Sequence, residues 1–158
     1  MSMNNNLNEI NNLLGEIRSM LLDRLKVRHI RLNIMSTKSS KLKIIAHTAG
    51  FDAEELKISL SRGQGCSGKA WNTKMEAIAD LAKDVQWISD EDQERVKTGL
   101  SVILSIPLFD PDVPNLKRVI GTLTIDSTER IYEPIQKIVP SLMPHVQKIA
   151  DLVKKSGL

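Results

Sequence analysis

At 158 residues and 41% hydrophobic content, the chain is long enough for one domain that buries roughly 70% of its unfolded surface. A net charge of +3, scattered Lys and Arg, and an aromatic content of two Trp, two Phe and one Tyr exclude a nucleic-acid stacking platform. One cysteine excludes an internal disulfide and fits a reducing compartment. The Asn-rich start lacks the basic and apolar regions of a signal peptide, and no apolar run approaches the ~18 residues that span a bilayer. These features lead to the expectation of a cytoplasmic protein that does not insert in a membrane.

Leu7, Ile10, Leu14, Ile17 and Leu21 recur at three- and four-residue spacing, which predicts an amphipathic helix from about Asn5 to Arg24. Ile30, Leu32 and Ile34 alternate with Arg31, Asn33 and Met35, as in a half-buried strand. Polar turn residues follow, and Leu42 to Ala49 reads as a second strand, so the two form a hairpin. Asp52 is placed to cap a short helix through Leu56, after which Leu56, Ile58 and Leu60 alternate again. Ser67 to Thr73 has no helix breaker, and Ala77 to Leu81 is a short strand. A polar, helical excursion is expected from Asp84 to Lys97. Leu100 to Phe109 and Val119 to Asp126 are strands, joined by a proline-containing loop. Glu133 to Lys155 carries a heptad-like seam of Ile135, Val139, Leu142, Val146, Ile149 and Val153. Pro140 and Pro144 each remove a backbone donor, so a kink or break is expected near them. Both helical stripes suit packing on a sheet, and either can also serve a homodimer seam. Hairpins and short connections predict an α+β fold with an antiparallel sheet.

The segment Gly63-Gln64-Gly65-Cys66-Ser67-Gly68-Lys69-Ala70-Trp71 carries two phosphate-binding signatures. Gly63, Gly65 and Gly68 spell the G-x-G-x-x-G of dinucleotide sites. That motif works after the first strand of a parallel βαβ unit, whereas here it follows a hairpin and precedes a helix too short for a crossover. Gly63 to Lys69 also has P-loop spacing. A P-loop needs a Ser or Thr hydroxyl for magnesium after its Lys, and Ala70 offers none. The remaining reading is a sharp turn into a short helix, with glycine supplying backbone angles that other residues avoid. Cys66 at that helix start, near Lys69, is either a reactive thiol or a small buried residue in a tight turn.

Four pieces in this order resemble the GAF domain family, the small-molecule-sensing module of bacterial and other signalling proteins. They are Leu60 to Ala70, Ala77 to Leu81, Ser101 to Leu108 and Val119 to Ser127, and the resemblance covers about Leu7 to Val153. It implies one domain over 1–158: a helix within 1–26, a sheet and pocket region over 27–127, and a helix over 132–155. About five or six antiparallel strands would carry both terminal helices on one face. Short helices and loops on the other face would form a pocket. Cys66, Trp71, Asp80, Trp87 and Ile106 are the expected lining, with Arg31, Asn33 and His47 as lesser candidates. Asp126 is read as the cap of the turn that follows it.

The resemblance implies a non-enzymatic sensor: an unidentified small molecule binds in the pocket, and the terminal helices relay the change to a fused or separate output domain. Homodimerisation through those helices is expected. The alternatives are a ligand-free dimerisation module and a redox sensor using Cys66. A sensor is expected to have a cavity of ~300 Å³ or more lined by Trp71 and Trp87. The family's methionine-sulfoxide-reducing members use several cysteines, and here the usual first-cysteine position aligns with Ser67. The cyclic-nucleotide set cannot be placed, since Asp126 to Arg130 lacks its Phe, and Cys66 has no neighbouring His for bilin attachment. His29, His47 and His145 fall on three elements, which disfavours a haem or iron site. No cofactor, no metal and no catalytic pair is expected.

Overall fold

The computed structural model describes residues 3–81 and 99–158. The expected excursion from Asp84 to Lys97, with Trp87, lies outside the described residues.

Helix α1 spans Met3–Leu25. Strands β1 (Arg31–Ser36) and β2 (Leu42–His47) form the first hairpin. A single 3-10 turn at Glu55–Lys57 leads to β3, which is only Ser59–Leu60. Helix α2 (Gly65–Thr73) precedes β4 (Ala77–Asp80), followed by β5 (Val102–Phe109), β6 (Val119–Ser127) and α3 (Tyr132–Ser156). The six strands form one sheet in the order β3-β2-β1-β6-β5-β4, and every pairing is antiparallel. The chain is therefore α+β, and no parallel crossover exists among the described strands to support a dinucleotide site.

Strand alternation sorts the side chains to two faces. Leu32 and Ile34 of β1, Leu104, Ile106 and Leu108 of β5, and Leu123 and Ile125 of β6 share one buried cluster with the apolar stripes of α1 and α3. The stripe residues Ile10, Leu14, Ile17 and Leu21 are fully covered by the chain's own sheet and by α3. On the opposite face α2 packs over β4, β5 and β6. Arg31, Asn33 and Met35, with Ile103, Ser105, Thr124 and Asp126, alternate with the first set and so point to that side.

Two local expectations are corrected. The break expected near Pro140 and Pro144 does not occur, and helix α3 includes both. Both prolines are on the solvent side, where the carbonyls deprived of their amide partners can bond to water instead. The alternation of Leu56, Ile58 and Leu60 does not make a strand of that length. Asp52 accepts a hydrogen bond from the Glu55 backbone N–H at 2.8 Å and starts a turn there, which rotates the Glu55 side chain inward. No helix among the described residues is long and apolar enough to cross a membrane.

Candidate functional site

Three groups of polar side chains are buried on the α2 side of the sheet. The first is an ion triad. Arg31 is 2% exposed, Glu55 3% and Asp126 5%. Strand pairing sets Arg31 directly opposite Asp126. The guanidinium grips that carboxylate with two bonds, Nε to Oδ1 at 2.8 Å and Nη2 to Oδ2 at 2.9 Å. Its Nη1 donates to Glu55 at 2.9 and 3.1 Å and to the Gly50 carbonyl at 2.7 Å. The Phe51 ring lies over it, 4.1 Å from the guanidinium carbon to the ring centre. One arginine thus ties the loop between β2 and β3 to the centre of the sheet. Burial alone would lower the Arg31 guanidinium, but the two carboxylates outweigh it and hold it above its ordinary value. Burial pushes the Asp126 carboxyl up, and the bond from Arg31 pulls it partly back.

The second group is a triangle of hydroxyls from three elements. Ser67 on α2 lies 2.9 Å from Ser105 on β5 and 2.7 Å from Thr124 on β6, and those two are 3.0 Å apart. Three hydroxyls can donate and accept in a ring, so the triangle satisfies itself and fixes α2 to the sheet.

The third is Asn33, 5% exposed, whose carboxamide oxygen has no hydrogen-bond partner among the described residues.

Between these groups is a hollow of about 60 Å³. Arg31, Asn33, Glu55, Thr124 and Asp126 are among its polar residues, Phe51, Ile58 and Ile103 are among its apolar residues, and the first turn of α2 closes one side. The expectation of a sensor cavity of ~300 Å³ or more is corrected: the hollow is far smaller, and Trp71 is not on its wall. Among the described residues no group of three or more His, Cys, Asp or Glu side chains is placed to hold a metal ion.

The glycine segment builds that α2 wall. Gly63 and Gly65 take left-handed backbone angles, φ +87° and +66°. Gly68 is there for a different reason: a Cβ on it would sit 2.6 Å from the Ser61 carbonyl oxygen. The close approach lets the Gly63 N–H donate to the Gly68 carbonyl at 2.8 Å.

No family model matches the sequence, and no curated protein is similar to it. Solved structures are similar in shape. The GAF domain of a two-component sensor histidine kinase from Bacillus halodurans superposes with a TM-score of 0.64 at 16% identity, covering 91% of this chain and 95% of that one. The chain has the GAF fold. The chain is also similar to a type II free methionine-R-sulfoxide reductase from Thermoplasma acidophilum, with a TM-score of 0.68, 14% identity, and coverage of 95% and 96%. The GAF domain of A. aeolicus nlh2, described as in an inactive state, matches with a TM-score of 0.56 at 15% identity over 98% of this chain and 94% of that one. The fold is therefore shared with sensors and with enzymes.

Of the residues named from the sequence, Arg31, Asn33 and Cys66 are brought together around the hollow. Ile106 is not: it lies on the other face, 2% exposed in the core under the terminal helices, because its position in β5 has the parity of Leu104 and Leu108. Trp71 is half-buried outside the hollow, packed on Met35, Leu42 and Leu60 with the Arg62 guanidinium 5.7 Å from its ring. His47 is exposed; its ring meets the edge of Phe51 and its Nδ1 lies 2.7 Å from the Thr48 carbonyl. Asp80 ends β4, half-buried and paired with Val102, away from the hollow. Glu55, Ser67, Ser105 and Thr124 were not among the residues expected to line a pocket. For Asp126 the turn-cap reading is replaced by its pairing with Arg31.

Cys66 is 3% exposed and its Sγ lies 3.1 Å from the Ala77 carbonyl and 3.5 Å from the Ile103 carbonyl. Burial pushes the thiol up to about 12. At neutral pH it is held almost wholly in the unreactive protonated form. Native protein treated with a thiol reagent at pH 8 is therefore expected to remain unlabelled until denaturant is added. Stoichiometric labelling within minutes of mixing would contradict this burial.

Proposed function

We propose that the chain is a non-enzymatic sensory domain whose hollow admits a small polar ligand and whose terminal helices carry the response outward. The observation that carries this reading is the unpartnered Asn33 oxygen beside the Arg31–Asp126–Glu55 triad. Leaving a buried acceptor unbonded costs about 1–3 kcal/mol. A sheet face that only packed against α2 would place an apolar side chain there, as Ile103 is placed nearby. A polar group kept at such a cost is best explained by something that bonds to it.

A route outward also supports the reading. Arg31 and Asp126 face the hollow, and the next residues in register, Leu32 and Ile125, face the terminal helices. A ligand that displaces either ion-pair partner displaces the backbone of β1 or β6, and the adjacent side chains feel it under α1 and α3. The response exists only if the ligand favours one arrangement over the other.

Sulfoxide reduction, the activity named for the reductase structures, finds little support in this chain. Its single cysteine is buried and protonated, and a resolving thiol would have to come from elsewhere. We expect no methionine from methionine-R-sulfoxide incubated with the protein and dithiothreitol. We expect native mass spectrometry of protein from its own host, or a thermal-shift screen of small metabolites, to reveal a retained or stabilising ligand. Sustained sulfoxide turnover would replace the sensor reading with an enzymatic one. A hollow that neither retains nor responds to any small molecule would reduce the domain to an interaction module.

A further inference from the structure

We propose that the hollow takes an uncharged molecule of about four heavy atoms whose primary carboxamide pairs with the carboxamide of Asn33, beside the Thr124 hydroxyl. The proposal rests on the sensor reading and narrows it to one ligand class.

What the wall leaves unbonded is the first reason. Arg31 is committed through Nε and Nη2 to Asp126, and through Nη1 to Glu55 and the Gly50 carbonyl. Ser67, Ser105 and Thr124 close a ring that uses each hydroxyl proton once. The Asn33 carboxamide oxygen has no partner among the described residues. It calls for a donor, and the same side chain carries a donor group beside that acceptor. A primary amide presents the same two groups side by side, so the two amides can pair head to tail through two hydrogen bonds. The pairing survives a half-turn of the Asn33 amide, because the ligand amide turns with it.

Placement is the second reason. Strand pairing sets Asn33 directly opposite Thr124, and such residues share a face with Cβ atoms about 4.5–5.5 Å apart. The ring leaves one lone pair on the Thr124 oxygen, and an amide nitrogen has a second N–H to give it. Charge is the third reason. Asp126 is bonded to Arg31 and is also acted on by His29, and Glu55 also accepts the Asp52 backbone N–H at 3.3 Å. A bound ion of either sign would have to draw its counter-charge from these contacts, whereas a neutral amide requires none. Size and lining agree. A site for one water needs about 10–15 Å³ by the same measure, so a hollow of about 60 Å³ takes about four heavy atoms. Met35, Ile44 and Ile103 supply apolar surface for a methyl group. Asn33 sits in β1 between Leu32 and Ile34, which face the terminal helices. A ligand held by Asn33 therefore acts on the strand that meets them.

The test is a titration of the full chain, labelled with nitrogen-15, with three molecules of one shape: acetamide, acetone and sodium acetate, all at one ionic strength. The side-chain N–H signals of Asn33 and the backbone N–H signals of Asn33 and Thr124 report binding. Saturable shifts with acetamide, half-complete at about 1–100 mM, are the expected result. Acetone lacks the donor and acetate adds a charge, so each is expected to bind at least about tenfold more weakly. Asn33→Leu, read at the Thr124 signal, is expected to weaken acetamide by a similar factor. Should Asn33→Leu fail to fold, Asn33→Ala removes the same amide with no added bulk. Equal affinity of the wild type and a folded Asn33 variant overturns the proposed seat. Acetone or acetate binding as tightly as acetamide overturns the amide class and leaves the sensor reading standing. No saturable shift with any of the three overturns the proposal, and the sensor reading falls with it only if host-purified protein also retains no small molecule.

Discussion

Replacing Arg31 with Met is expected to destabilise the fold by about 3–5 kcal/mol, because it strands two buried carboxylates at once. For a domain of this size that is a fall of about 6–20 °C in Tm. The loss extends beyond charge. The Gly50 carbonyl loses its donor and Phe51 loses the surface it lies on, so the loop between β2 and β3 is released from the sheet. The informative comparison is the triple variant Arg31→Met, Glu55→Leu, Asp126→Leu. Removing all members of a buried ion cluster is often neutral or stabilising, whereas removing one is not. The triple variant is therefore expected to unfold at a higher temperature than the single one. Thermal or urea unfolding followed by circular dichroism reads the difference. A single variant as stable as wild type would mean that water reaches these carboxylates, and the enclosed triad would not exist.

Gly68→Ala is the second large effect. Its new methyl would meet the Ser61 carbonyl at 2.6 Å and the Gly63 backbone at 3.2 Å. Every one of those atoms is main chain, so no side chain can swing aside. Either the Gly63–Gly68 hydrogen bond breaks or α2 shifts off the sheet, and a shift disturbs the Ser67–Ser105–Thr124 triangle. Overpacking of this kind costs about 1–3 kcal/mol and occasionally more. Gly15→Ala provides the opposite expectation within the same molecule. Gly15 is exposed in the middle of α1 with nothing within 4 Å of its added methyl. There alanine is expected to stabilise by roughly 0.5–1 kcal/mol through helix propensity. Denaturant midpoints of the two variants should move in opposite directions. Movement in the same direction would remove the steric explanation for the third glycine of the motif.

The architecture was legible because its signals are local. Apolar spacing of three and four marked α1 and α3, and alternation marked β1, β5 and β6. The candidate site was legible only where a residue's neighbours along the chain identify it, as the glycine turn identifies Cys66. Ile106 shows the limit. Alternation separates Val102, Leu104, Ile106 and Leu108 from Ile103, Ser105 and Pro107, but both sets are mostly apolar, and periodicity does not say which set meets the helices. Ser105 was the usable clue, since a hydroxyl is an unlikely choice beneath two apolar helical stripes. The Arg31–Asp126 pair depends on β1 meeting β6 across 95 positions of sequence. Nothing in the spacing of either strand specifies that partner. Glu55 was hidden further, because its inward turn follows from a cap at Asp52 rather than from any pattern of its own.

Helix α3 is tethered at both extremities. Next to its start, a Glu129 carboxylate oxygen accepts the backbone N–H groups of Arg28 at 2.7 Å and His29 at 2.8 Å. Beyond its end, Ser36 donates to the Leu158 carbonyl at 2.9 Å and Lys38 donates to that of Gly157. Those ties are made to the residues just before β1 and to its far end and the turn beyond it, and β1 is the strand that carries Arg31 and Asn33. A rod of 25 residues, about 37 Å long, is thus strung like a bowstring across one strand. Any change in the coil of that strand alters the separation of the two anchorages, and a stiff rod held at both has to rotate or bow instead of fraying at one tip.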